Sequence, residues 1–280
     1  MDWDRVKKSR SFQNGALTYM EVAQRVLSGY GQSGVTDHAT GGACIPEFLL
    51  QYEESDWVFL RRLASHFGTY LLADATDACG KVYFGVPEIS YGTVLDRQGY
   101  TMEKDMLHYA RVLEKEGVLS QEASCWNVTV RFFLRMWETL TFNGIEAVVT
   151  AMRLHTEKGE LVYSYVLARR AGIRREKEKN PGIFGMSIPA TVMERSGNRI
   201  RVHFEIDPEY EASEKTKYFT YAIESSSFYC MPEEGSQVHI YFPDHDEQGA
   251  VAVHAIRSGE GASGSCSTPE NKRFSDPSGS

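Results

Sequence analysis

No apolar run in this 280-residue chain approaches the roughly 20 residues needed to cross a bilayer as a helix. Its five cysteines, Cys44, Cys79, Cys125, Cys230 and Cys266, include no pair at CxxC spacing. Neither a zinc ribbon nor a disulfide framework is expected, and the thiols read as reduced. Basic charge is also scarce: 30 Lys and Arg stand against 38 Asp and Glu, a net charge of −8. That balance argues against nucleic acid as a partner, because displacing counterions from phosphates needs a cationic surface. It is equally wrong for docking on an acidic leaflet. The opening MDWDRVKKSRSFQNG lacks the apolar core of a secretory signal. The expectation is a protein made in the cytoplasm, and kept there or exported by a route that needs no signal. What remains is ordinary for a globular chain: 42% apolar and 24% charged residues, enough for one large or two ordinary domains.

The hydrophobic pattern assigns elements along the chain. Residues 1–16 are polar and read as an arm or a strand. Thr18 with Glu21 forms a capping-box signature, followed by Val22, Ala23, Val26 and Leu27 on one helical face and Gly31 at its end. Residues 31–44 are glycine-rich and read as a loop. Phe48–Tyr52 suits a strand. Ser55 and Asp56 suit the start of a helix that Gly68 ends. Its apolar face is Trp57, Leu60, Leu63, Ala64 and Phe67, with Arg61, Arg62 and Ser65 outward. Thr69–Leu72 and Lys81–Val86 read as a strand pair.

Residues 101–117 are ambiguous, with Met106, Leu107, Ala110 and Leu113 fitting a helix before Gly117. From Trp126 the runs WNVTVRFF, ETLTF, EAVVTAMRLH and ELVYSYVLAR are rich in β-branched and aromatic residues. Turns at FNG and EKG break them, as in a small antiparallel barrel or sandwich. GIRREKEKNPGIF, residues 172–184, reads as a charged hinge. SIPATVMER and RIRVHFEID then form a hairpin with Ile200, Val202, Phe204 and Ile206 on one face. SQVHIYFP and GAVAVHAIR complete about five short strands, as in an OB-like barrel. The Gly/Ser-rich end from Ser258 reads as disordered.

Three clusters invite a chemical reading. Asp244, His245 and Asp246, with His239 and His254 near in sequence, could ligate a metal; a solvated turn between strands is the preferred reading. Cys44 could act with a histidine as nucleophile and base, but it lies in a glycine-rich loop without a local signature. Glu53, Glu54 and Asp56 could be paired carboxylates, but a helix start favours capping. No residue is assigned a catalytic, cofactor-binding or metal role. Aromatics form 12% of the chain; in a monomer they are core, and in a ring they also line subunit interfaces.

Three ordered segments resemble the VgrG and phage late control gene D family of hub–spike proteins. They are FLLQYEESDWVFLRRLASHFGTYLL, then FNGIEAVVTAMRLHTEKGELVYSYVLARRAGI. The last is the unit from GMSIPATVMERSGNRIRVHFEID through MPEEGSQVHIYFPD to AVAVHAIR. The resemblance implies a mainly β fold with some α: a hub-type β-barrel with inserted helices, then a small OB-like barrel. The expected division is a hub-like region at 1–171, a linker at 172–184, an OB-like domain at 185–258 and a tail at 259–280.

It further implies a structural, non-enzymatic baseplate hub of a contractile injection system: a phage tail, a tailocin or a type VI secretion-like machine. The implied partners are two further copies in a homotrimer, the inner tube protein, baseplate proteins and a separate needle or tip protein. The implied location is the cytoplasm when made, then the injection particle, either retained there or delivered outside the cell. Full members carry a further barrel portion before the RSFQ-like segment and a β-helical needle after the OB unit. Here PENKRFSDPSGS, with Pro269, Lys272 and Phe274, suggests the approach to a needle with no repeat after it. A truncated member, half of a split gene, or a hub with a separate needle chain all fit. The alternative reading is a phage-tip cell-wall or peptide hydrolase that uses the OB unit for binding.

Overall fold

The computed structural model describes residues 2–31, 34–46, 48–74, 80–222 and 231–256. The N-terminal half runs β1 (Lys7–Phe12), α1 (Tyr19–Leu27), β2 (Gly34–Asp37), β3 (Leu49–Ser55), α2 (Asp56–Ser65), β4 (Leu71–Ala73) and β5 (Lys81–Phe84). Next come β6 (Ile89–Leu95), β7 (Tyr100–Lys104), α3 (Met106–His108), β8 (Ser124–Val130), β9 (Glu138–Phe142), β10 (Ile145–Glu157) and β11 (Glu160–Ala168). The last strands are β12 (Ser187–Ser196), β13 (Arg199–Phe204), β14 (Tyr218–Thr220), β15 (Gln237–Tyr241) and β16 (Val251–Ile256). The fold is mostly β, with several sheets and short helices.

Two compact units interleave along the chain. The first holds residues 1–7, 17–44 and 54–179; the second holds 8–16, 45–53 and 180–280. The chain passes from the second to the first between Glu53 and Glu54, inside β3. Glu53 takes a left-handed backbone, φ 49°, which costs a side-chain-bearing residue about 1–2 kcal/mol.

In the first unit, α1 starts at the expected capping box: Glu21 N–H donates to Thr18 Oγ1 at 3.1 Å, and Thr18 N–H donates back to Glu21 at 2.7 Å. α2 is capped by Ser55, as expected. Its faces differ from the sequence reading. Phe59, Leu60, Leu63 and Ala64 are fully buried, while Trp57 and Phe67 are half-buried. Arg62 and Ser65, expected outward, are buried as well. The glycine-rich stretch also contains an unexpected strand: β2 pairs in parallel with β5, which pairs antiparallel with β4.

The larger sheet of this unit has six strands in the order β6-β9-β10-β11-β8-β7. Leu95, Trp126, Leu140, Phe142, Tyr165 and Leu167 pack its inner face. Its edge strands β6 and β7 are consecutive, joined by residues 96–99 alone. Such a link spans at most about 17 Å, so the sheet must curl. Among the described residues no ladder joins those edges, however, so the expected hub barrel is an open, curled sheet. The region around Met106 forms α3 and one π-helical turn, Tyr109–Leu113, which buries Val112 and Leu113 and leaves Met106 and Leu107 exposed. A wider helical turn shifts the buried face from the one that regular 3.6-residue spacing selects.

Residues 173–179 do not hang free. Arg175 N–H donates to Gly68 O at 2.9 Å, Glu178 N–H to Ser65 Oγ at 2.8 Å, and the Tyr70 hydroxyl to Arg174 O at 3.0 Å.

The second unit is built on a five-stranded sheet in the order β14-β13-β12-β15-β16. Its ladders are antiparallel, and among the described residues one parallel bridge, Tyr221 to Ala252, joins the two edges. This is the strand order and partial closure of an OB-like barrel. Ile200, Val202 and Phe204 point into its core as their alternation predicts. The core also takes Phe48 and Leu50 from the chain just before α2. The Phe48 ring lies 5.5 Å from Phe204, 5.3 Å from Phe219 and 6.4 Å from Phe242. β1 pairs with β3, and Gln13 Nε2 donates to Val202 O at 3.1 Å.

Candidate functional site

The turn from β3 into α2 concentrates the polar groups that the sequence marked as paired carboxylates. Ser55 Oγ accepts from Val58 N–H at 3.2 Å and donates to Asp4 at 2.7 Å. Asp56 is fully buried and accepts the Tyr30 hydroxyl at 2.6 Å. Glu54 accepts from Arg62 Nε at 3.0 Å and from Nη2 at 2.9 Å. The Arg62 guanidinium carbon also sits 5.3 Å from the Phe59 ring centroid. Arg62 is buried because this fork supplies a carboxylate in the geometry a guanidinium needs. Glu54 and Asp56 therefore hold the corner together, and Glu53 points to solvent.

The other candidates are dispersed. Asp244, His245 and Asp246 lie in the turn between β15 and β16. There Asp246 caps the short 3-10 turn Glu247–Gly249, and the His245 ring lies 5.1 Å from Phe184. His239 is half-buried on β15, opposite Pro189 and Val253. Among the described residues no three His, Cys, Asp or Glu side chains converge as a metal site would require. Cys44 is exposed and bridges to Thr18. Cys125 donates to Glu103 O at 3.6 Å, and burial, with the charges of Glu103 and Asp105, pushes its thiol up. Cys79, Cys230, Cys266, the His254 side chain and the expected tail lie outside the described residues.

One acid has a distinctive setting. Asp207 accepts Ser11 N–H at 2.7 Å and the Ser11 hydroxyl at 2.5 Å. Burial nevertheless raises its carboxyl above the ordinary range, because desolvation outweighs those two bonds.

Apolar exposure is what sequence reasoning missed. Tyr100, Met102, Met106 and Leu107, and then Met152, Leu154 and Leu161, are all exposed in the six-stranded unit. The β10–β11 ribbon extends past its neighbours: β9 pairs only with Ile145–Val148, and β8 reaches only Tyr163. Two-residue turns with positive φ, Asn143-Gly144 and Lys158-Gly159, define the hairpins. Strand alternation alone marks Met152 and Leu154 as core, so only the strand lengths reveal that they are exposed among the described residues.

No protein-family model and no curated protein matches the sequence. The fold does have relatives among solved structures. The E. coli protein c3393 is described as a type VI secretion component with structural similarity to the T4 bacteriophage tail proteins gp27 and gp5. It aligns with a TM-score of 0.65 at 13% identity, over 91% of this chain and 75% of its own. A chain of the Francisella PdpA–VgrG complex aligns at 0.52 and 10% identity, over 92% of this chain and 60% of its own.

Proposed function

We infer that this chain is a structural hub or spike component of a contractile injection system, linking an inner tube to a puncturing tip. The observation that carries the reading is the fold likeness to the E. coli secretion component over 91% of the chain. The same reading makes the protein a homotrimer that docks the tube protein and contacts baseplate and tip components. Its work is mechanical: it transmits force when the machine contracts. It is made in the cytoplasm, built into the particle, and stays there or leaves with the tip. The interleaved units suit that task, because the chain crosses between them five times, at 7/8, 16/17, 44/45, 53/54 and 179/180, and so ties each unit to the other in sequence.

Light scattering on the purified protein tests the assembly, with and without tube protein from the same machine. A mass about three times the 31.6 kDa chain is expected. A strict monomer at high concentration, also with tube protein present, sinks the trimeric hub. Peptidoglycan turnover lost in Cys44→Ala or His245→Ala would replace it with the hydrolase reading.

A further inference from the structure

The core-facing side of the six-stranded sheet runs into solvent at two separate strands. On β7, Tyr100 and Met102 are 52% and 61% exposed, although they stand opposite buried Val128 and Trp126 of β8. On the ribbon, Met152, Leu154 and Leu161 are 41%, 52% and 51% exposed. The register Met152–Tyr165, Leu154–Tyr163 and Thr156–Leu161 places them on the face that carries buried Tyr165. The five side chains together expose roughly 500 Å², divided between the two strands.

The same two strands also offer backbone. β7 is a sheet edge. Beyond Val148, β10 leaves β9, and among the described residues Ala151–Glu157 pair only with β11. An edge of this kind recruits another strand unless something blocks it.

The geometry points to a joint between copies of this chain, in which β7 of one copy adds antiparallel to the free edge of β10 of the next. Set Met102 opposite Leu154. Tyr100 then meets Thr156, and Lys104 lays its stem along Met152, on the apolar face. On the polar face Glu103 meets Arg153, and Thr101 meets His155. Glu103 and Arg153 are both exposed in the single chain, and an opposite-charge cross-strand pair favours this register. A one-residue slip sets Met102 against Arg153 or His155 and turns each apolar side chain to the wrong face. Parallel pairing on the same anchor sets Thr101 against Arg153 and loses the charge match.

The apolar side chains supply about a third of the ~1,200–2,000 Å² of a specific interface, and paired backbone and polar flanks supply the rest. Because the two strands are different surfaces, the joint is heterologous, and repetition adds copies head to tail, in a ring wherever the rotation closes. The inference rests on the homo-oligomer reading above and assigns it a surface.

Light scattering and a cross-link test it. The parent is expected to assemble beyond a dimer. Glu103→Arg and Arg153→Glu should each weaken association about tenfold or more at unchanged melting temperature, and the double reversal should restore it. Thr101→Cys paired with His155→Cys should give an intermolecular disulfide under mild oxidant that neither single variant gives; this arm holds even if a charge reversal harms folding. An assembled parent with no effect of reversal and no cross-link overturns this joint but leaves the homo-oligomer. Assembly that stops at a dimer overturns it too. A monomeric parent overturns both.

Discussion

Remove the Arg62 guanidinium, and the corner between β3 and α2 loses the partner of a buried carboxylate. Arg62 is 1% exposed and Glu54 7%, so water cannot screen what is left. In Arg62→Met the stem is replaced at similar volume, which keeps packing loss small. The cost is then mainly an uncompensated Glu54, about 3–5 kcal/mol. For a unit of this size each kcal/mol moves the midpoint about 2–4 °C, so a fall of about 6–20 °C is expected. Arg62→Met with Glu54→Gln removes both charges, and most of the loss should return, because a buried ion pair gains little over neutral groups. Differential scanning calorimetry on the parent, the two singles and the double closes the cycle. A single variant within ~1 °C of the parent, or singles whose losses simply add in the double, would refute the reasoning.

Two further perturbations probe the second unit. Phe48→Ala deletes a fully buried ring packed on three others. A loss of about 3–5 kcal/mol is expected in chemical denaturation. For the same reason a fragment of residues 185–258 should lack a cooperative transition, and adding a peptide of residues 45–53 should supply one; a cooperative melt of the bare fragment counts against the interleaving.

Asp207 gives a pH test. Its folded carboxyl titrates higher than in the unfolded chain, so the folded state binds more protons in that window. Stability therefore falls as pH rises from the ordinary carboxylate range through the raised folded value. Asp207→Asn keeps a bond to each Ser11 group by reversing the hydroxyl's role, and it should abolish that part of the slope. Equal slopes in parent and variant would show that Asp207 does not titrate as described.

What was legible in the sequence was local. The Thr18–Glu21 box, the Ser55 cap, Gly68 and the two positive-φ turns each depend on a few neighbouring residues, and each formed as read. Arg62 was misread because helical periodicity treats any arginine as outward; its partner lies across a corner, eight residues back. The strand at Gly34–Asp37 was hidden because its pairing partner is β5, more than 40 residues later. The strand expected at Phe48–Tyr52 starts one residue later, at Leu49, and the ring of Phe48 just before it packs on Phe204, Phe219 and Phe242 from the far end of the chain. The charged candidates cluster in sequence at a helix start and a turn, but their partners are not legible there: Glu54 takes Arg62, Asp56 the Tyr30 hydroxyl, and Asp246 the Gln248 amide.

The interleaving has a consequence for how the chain is made. Gln13 bonds to a carbonyl 189 residues downstream. At about 5–20 residues per second that partner leaves the ribosome some 10–40 s later. Through that interval the segments 8–16 and 45–53, Phe48 among them, wait without their core, while the residues of the first unit are completed. Synthesis itself thus imposes an order: the β-sheet formed last encloses strands made first, and any factor that shields Phe48 during the wait acts on the yield of the whole molecule.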